Sequence, residues 1–297
     1  QQERARANSI YSVGQYAGIA FLSVPLFWVT QQFGWRGLFV LAGGFGVVLG
    51  AMFWTFYREP SADARVSAEE VALIEAGGGG EFKGARVAFS WSDIGQLLRH
   101  RQIIGASIGQ FGGNSTQVFF VTWFPTYLVN VRGMSFINAG MMTMLPYLGA
   151  SIGVLVAGQI SDRILKRTGS ANVARKLPIV GGMLLASTIV IANFVPDGSN
   201  TLVIAIMSLA FFGQGMTNLG WTVISDVAPK ELIGLTAGIF NFSANLAGIV
   251  TPLVIGYTYQ STGSFAGPLI YIGVVALIGA FSYSVILGDI HRLEVKR

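Results

Sequence analysis

Eight uninterrupted apolar stretches run through the 297-residue chain, and none of its 19 Lys and Arg or 14 Asp and Glu residues falls inside any of them. They span Ser9 to Thr30, Leu38 to Tyr57, Ile103 to Val129, Phe136 to Ile160, Pro178 to Val195, Thr201 to Ile224, Gly234 to Tyr257 and Gly267 to Gly288. Each can cross a bilayer as a helix, since about 20 residues rising about 1.5 Å each match a hydrocarbon core of about 30 Å. The chain is 52% hydrophobic and 11% charged, where a soluble domain carries about 25% charged residues. An all-α polytopic membrane protein follows. The 39 glycines suit helices that pack backbone to backbone. The lack of cysteine excludes disulfides and thiolate metal sites, and no pattern calls for a metal or another cofactor.

The charges set the sidedness. All but two of the 19 basic residues fall at the termini or in the segments after spans two, four and six; the alternate loops hold only Arg36 and Arg132. By the positive-inside rule, both ends of this chain and those segments are cytoplasmic, in a multi-pass protein of the cell (inner) membrane. The basic balance is therefore a topology signal that needs no nucleic-acid partner. A cleaved signal peptide would leave the first residue outside, so Gln1 reads as a point within a longer protein.

Residues 58–102 form one long segment without an apolar span. It holds a short amphipathic helix from Ser67 to Ala76, with Ser67 and Glu70 at capping-box spacing, then the glycine run Gly77 to Gly80. A second short helix around Ser92 to Arg99 suits the membrane interface. Two spans precede the segment (1–57) and six follow it (103–297), as though from a six-plus-six protein lacking four helices. An internal echo agrees: Pro25-Leu26 and Pro252-Leu253 each precede a turn and a glycine-rich helix, the mark of repeated halves.

Polar residues are concentrated on particular spans. Ser107, Gln110, Asn114 and Gln117 follow one helical face of span three; Gln214, Asn218, Trp221 and Ser225 do so in span six; Asn241, Asn245 and Gly248 in span seven; and Tyr11, Ser12 and Gln15 add span one. Spans two, five and eight carry almost no central amides and read as lipid-facing. An amide in hydrocarbon costs roughly 4–8 kcal/mol unless bonded, so the stripes must meet one another or water. Simple interhelical bonding, at about 0.6 kcal/mol each, is one reading. The other is a wet cavity of uncharged donors and acceptors suited to a polyhydroxylated ligand, with Tyr11 and Trp221 offering apolar faces. In span three, Gly112-Gly113 is expected to interrupt the helix and Pro125 to weaken it, giving a bendable gating helix or a tilted one with an aromatic belt.

At the cytoplasmic end of span four stand Gly158, Asp162, Arg163, Lys166, Arg167 and Gly169: a small residue for close contact, an acid one turn on, and bases able to pair or to bind headgroups. This charged loop resembles the cytoplasmic loop motif of the major facilitator superfamily, where it would form part of the cytoplasmic gate. Glu3-Arg4-Ala5 leading to Gly14-Gln15-Tyr16, Phe33-Gly34-Trp35-Arg36, Thr122-Trp123-Phe124-Pro125-Thr126-Tyr127-Leu128 and Ser225-Asp226-Val227-Ala228-Pro229-Lys230 resemble its anion:cation symporter branch, nearest the bacterial proton-coupled carriers of hexonates and hexarates. The resemblance implies that the chain corresponds to the last eight of twelve helices. It implies ligand contacts at Gln15, Gln110, Asn114, Trp221, Thr222, Ser225, Asn241 and Asn245, to which the residue reading adds Tyr11, together with protons as coupling ion, a small organic anion as substrate and a monomer in the bilayer.

A carboxylate ligand wants a fixed cation, and proton coupling wants a membrane acid; neither lies in the eight spans. In the resembling family these groups sit mostly in the first four helices, so the chain alone is expected not to perform coupled transport. A carrier for another organic anion, an aromatic carboxylate or an organophosphate, and a truncated non-transporting scaffold remain alternatives. An enzyme would need a convergent acid, base or metal set, which the spans do not offer.

Overall fold

The computed structural model describes residues 4–58, 63, 65–76 and 90–294, and within these the side chains of a few helical residues, Tyr11 among them, lie outside the described set. Also outside it are Glu3, the run Gly77 to Gly80, and Lys83, Arg86, Lys296 and Arg297. Among the described residues there is no strand. The helices are α1 (Arg4–Phe56), α2 (Ala68–Ala76), α3 (Trp91–Leu97), α4 (Arg101–Thr122), α5 (Phe124–Asn130), α6 (Phe136–Thr168), α7 (Ala171–Ser187), α8 (Asn200–Met216), α9 (Gly220–Val227), α10 (Ile233–Thr262) and α11 (Ala266–Phe281). Short 3-10 turns follow α7 and α8, and a π-helical turn, Ser282–Ile286, follows α11. Among the described residues, six of the expected spans are long and apolar enough to cross a membrane. Of the other two, the first part of α1 is helical with several of its side chains outside the described set, and α4 is helical but diluted by the polar residues singled out above.

Two compact units divide the chain, one within Phe21–Ala85 and one combining Gln2–Ala20 with Arg86–Arg297. In the first, Gly34 (φ 66°, ψ 179°) breaks the helical path of α1, so the first two spans are separate helices. Only glycine adopts that conformation cheaply. Beyond the break, Phe39, Phe45, Phe53 and Trp54 are exposed along a charge-free helix, a surface that needs lipid or protein rather than water. Ser67 accepts the Glu70 amide at 3.2 Å and starts α2, as its capping spacing predicts.

The second unit is a bundle held by glycine contacts. Gly149 and Gly153 of α6 face the backbone of Ser208 and Phe212 in α8, and Gly215 faces Ala150 in return. Gly182 and Gly213 do the same between α7 and α8, and Gly105, Gly109 and Gly112 of α4 lie against α11 and its π turn. With lipid on the outside there is no hydrophobic drive between such helices, so close backbone approach and dispersion carry the association.

Several expectations need correction. Gly112-Gly113 does not interrupt α4; a Cβ at Gly112 would lie 2.7 Å from the Val275 carbonyl oxygen and one at Gly113 would lie 2.8 Å from Thr217 Oγ1, so these glycines admit neighbours. The break falls instead at Trp123, between α4 and α5, with Pro125 in the first turn of α5, where its missing N–H is harmless. The motif at 158–169 is not a loop but the last turns of α6, closed by Gly169 (φ 67°). Spans five and eight are not simply lipid-facing: Ile179, Met183, Ile272 and Ala276 are buried while Leu184, Val274 and Leu277 are exposed, so each helix divides its faces.

Gly153→Ala is expected to cost about 1–3 kcal/mol through forced separation of α6 and α8, while Gly248→Ala, whose Cβ would meet nothing within 4 Å, is expected to be neutral or slightly stabilising. Thermal unfolding of the two variants in detergent checks the contrast.

Candidate functional site

Inside the second unit, a cavity of about 250 Å³ opens between the start of α1, α4, α8, α9 and α10, lined by Gln15, Tyr16, Gln110, Asn114, Gln117, Gln214, Thr217, Asn218, Trp221, Asn241, Ala244 and Asn245. The 3-10 turn Thr217–Leu219 connects α8 to α9 without ending the helical register. Gln214, Thr217, Asn218 and Trp221 therefore stay at i, i+3, i+4 and i+7 and share one face. On α4, Gln110, Asn114 and Gln117 repeat that spacing.

The amides hold one another. Tyr16 donates its hydroxyl to Gln214 Oε1 at 3.1 Å, and Gln214 Nε2 donates to Gln117 Oε1 at 3.4 Å, which joins α1, α8 and α4. Asn114 Nδ2 donates to the Ala244 carbonyl of α10. Asn245 Nδ2 donates to Asn241 O at 2.8 Å and to Asn241 Oδ1 at 3.2 Å. The Trp221 ring meets Phe240 edge-on, centroids 5.0 Å apart. No lining residue carries a formal charge. The site can exchange hydrogen bonds with hydroxyl groups and cover a short carbon chain with an indole. At this volume it suits a small solute, since drug-sized pockets start at about 300 Å³.

Six of the nine expected contacts, Gln15, Gln110, Asn114, Trp221, Asn241 and Asn245, meet in this cavity. The Tyr11 side chain is outside the described set. Thr222 is buried beside Trp221 but turned from the lining, and its Oγ1 has no partner. Ser225 lies a turn beyond, its hydroxyl donated to the Trp221 carbonyl at 2.9 Å. Tyr16 and Thr217 join the lining without having been singled out. The spacing Ser12, Tyr16, Ala20, all buried, carried the signal for the tyrosine.

A second polar cluster lies where α6, α7 and α9 meet. Arg175, only 1% exposed, bonds Asp226 Oδ2 at 3.1 Å, Asp162 Oδ1 at 3.3 Å and Ser161 Oγ at 2.7 Å. Of the expected gate residues, Gly158 and Asp162 are buried there, while Arg163, Lys166 and Arg167 are exposed. The acid and the following bases thus do different things: Asp162 locks helices together, and the bases face outward. Sequence spacing could not reveal Arg175, because its partners lie 13 and 51 residues away.

Membrane-length helices packed around an uncharged hydrogen-bonding cavity define a multi-pass membrane protein of the solute-handling class. Residues 1–252 match the family model of the Major Facilitator Superfamily. The chain is 44% identical over 302 residues to the Probable galactarate/D-glucarate transporter GudP of Escherichia coli (strain K12), covering 99% of this chain and 67% of that protein. It is 40% identical over 299 residues to the D-galactonate transporter of Escherichia coli O6:H1, with 99% and 69% covered. It is 30% identical over 284 residues to the Probable sulfoacetate transporter SauU of Cupriavidus necator, with 94% and 64% covered. The chain belongs to the major facilitator superfamily, a family of transporters rather than of enzymes. It spans about two thirds of the length of these relatives.

Arg175→Met leaves two carboxylates facing each other in a buried site and is expected to destabilise the protein by about 3–5 kcal/mol. Adding Asp162→Asn and Asp226→Asn is expected to recover much of that loss, as read by thermal unfolding.

Proposed function

We propose that the protein is a secondary carrier of a sugar-acid anion, a hexonate or hexarate, that works by alternating access. The observation that carries this reading is the uncharged, amide-lined cavity with Trp221 at its wall. Carboxamides both donate and accept, as successive hydroxyls on a carbon chain require, and the indole covers C–H faces between them. The names of the relatives from Escherichia coli agree with this class of ligand. The lining holds no arginine fork of the kind a phosphate favours, which makes an organophosphate the weaker reading.

The coupling ion is a proton, carried by groups outside the lining, since no carboxylic acid lines the cavity. The protein works as a monomer in the cell membrane, with both ends of this chain cytoplasmic. Residues 1–57 belong to one helical half, 58–102 to the connecting loop and 103–297 to the other half. The end of α6, with Gly158, Asp162, Arg163, Lys166 and Arg167, serves as the cytoplasmic gate.

Calorimetric titration of the purified protein with D-glucarate, D-galactonate and sulfoacetate tests the ligand class, and a sugar acid is expected to bind best. Gln15→Ala and Asn241→Ala are each expected to weaken sugar-acid binding roughly 2–10-fold, the loss of one hydrogen bond. Unchanged affinity in both variants, or a preference for sulfoacetate, would count against the reading.

A further inference from the structure

Tyr283 lies in the π-helical turn Ser282–Ile286 and is fully buried, yet its hydroxyl has no hydrogen-bond partner. It is absent from the cavity lining. π-helical turns are rare and are frequent at functional sites; this one closes the C-terminal end of α11. Here the turn is fixed by Ser282, whose hydroxyl donates to the Gly105 carbonyl of α4 at 2.8 Å.

Two glycines on different helices make room for the ring. A Cβ on Gly109 of α4 would collide with the ring edge at Cε2. A Cβ on Gly220, the first residue of α9, would stand 2.7 Å from the Tyr283 hydroxyl and 3.0 Å from Gln110 Oε1. The hydroxyl and the Gln110 carbonyl oxygen therefore face the same small space, kept open by the missing side chain. Gln110 itself lines the cavity. An unpaired buried hydroxyl costs about 1–3 kcal/mol, so packing alone would favour phenylalanine in this slot.

We infer that Tyr283 is a positioning residue for the cavity: when ligand engages Gln110, the Tyr283 hydroxyl donates to Gln110 Oε1 across the gap at Gly220. This inference rests on the cavity being the sugar-acid site. The bond fixes which end of the carboxamide faces the ligand, presenting the Nε2 donor to a hydroxyl or carboxylate oxygen. It also polarises that donor, because linked hydrogen bonds strengthen one another in a dry site. Without the tyrosine, the amide can flip and present either end.

The test titrates D-glucarate and D-galactonate by calorimetry into purified wild type, Tyr283→Phe, Gly220→Ala and the double variant, with thermal unfolding of each. Tyr283→Phe is expected to weaken binding about 5-fold, in line with one lost hydrogen bond, while its unfolding temperature stays level or rises. A merely structural tyrosine would not separate the two readouts in that direction. Gly220→Ala is expected to weaken binding as well, and the double variant to bind no worse than the weaker single variant, because both changes interrupt one contact. Should Gly220→Ala fail to fold, Tyr283→Phe decides. Wild-type affinity in Tyr283→Phe overturns the inference and leaves the proposed function standing. Fully multiplicative losses in the double variant also overturn it. If wild type binds neither sugar acid, the proposed function fails and the inference with it.

Discussion

Hydrocarbon offers no hydrogen bonds, and this one fact shapes the second unit. Every side-chain amide placed in a membrane-spanning helix must find a partner within the protein or in trapped water. Amides on α1, α4, α8, the turn after α8 and α10 are therefore driven to a common interior space, and the pairs Tyr16–Gln214, Gln214–Gln117 and Asn114–Ala244 tie α1, α4, α8 and α10 together there. Not every amide is consumed by its neighbours: Gln15, Gln110 and Asn218 line the cavity as well, so the lining keeps capacity for a solute. Stability and binding draw on the same polar set.

Glycine makes the geometry possible. The contacts of Gly153 with α8, Gly182 with Gly213, and Gly109 with Tyr283 bring backbones and rings closer than any side chain would allow. Dispersion is then gained where lipid exclusion gives nothing. At one end of the bundle a different device takes over. Arg175 gathers Asp162 and Asp226 from α6 and α9 onto α7, and a buried ionic group of this kind fixes which helices meet more than it adds net stability. Since α9 carries both Trp221 and Asp226, the ionic lock and the cavity wall share one short helix.

Much of this was legible in the sequence. The spans were readable because the bilayer imposes length and excludes charge, and the cavity because helical spacing puts Gln110, Asn114 and Gln117, or Gln214, Asn218 and Trp221, on single faces. Less legible was anything set by distant pairing. Arg175 looked like one more topology base, and Tyr16 was not singled out as a contact, because their partners come from other helices. Gly112-Gly113 read as a break because glycine weakens a helix in water, whereas in α4 its lack of bulk is what counts. The π turn at Tyr283, which bonds to Gly105 through Ser282, has no periodic signature.

The central claim is that the uncharged cavity of the second unit receives the ligand. A cryo-electron microscopy or crystal structure of the protein with D-glucarate tests it most directly. The account predicts ligand density in the cavity, with hydroxyls bonded to Gln110 and Asn241 and the carbon chain against Trp221. Ligand density elsewhere, with only water between these residues, would contradict it.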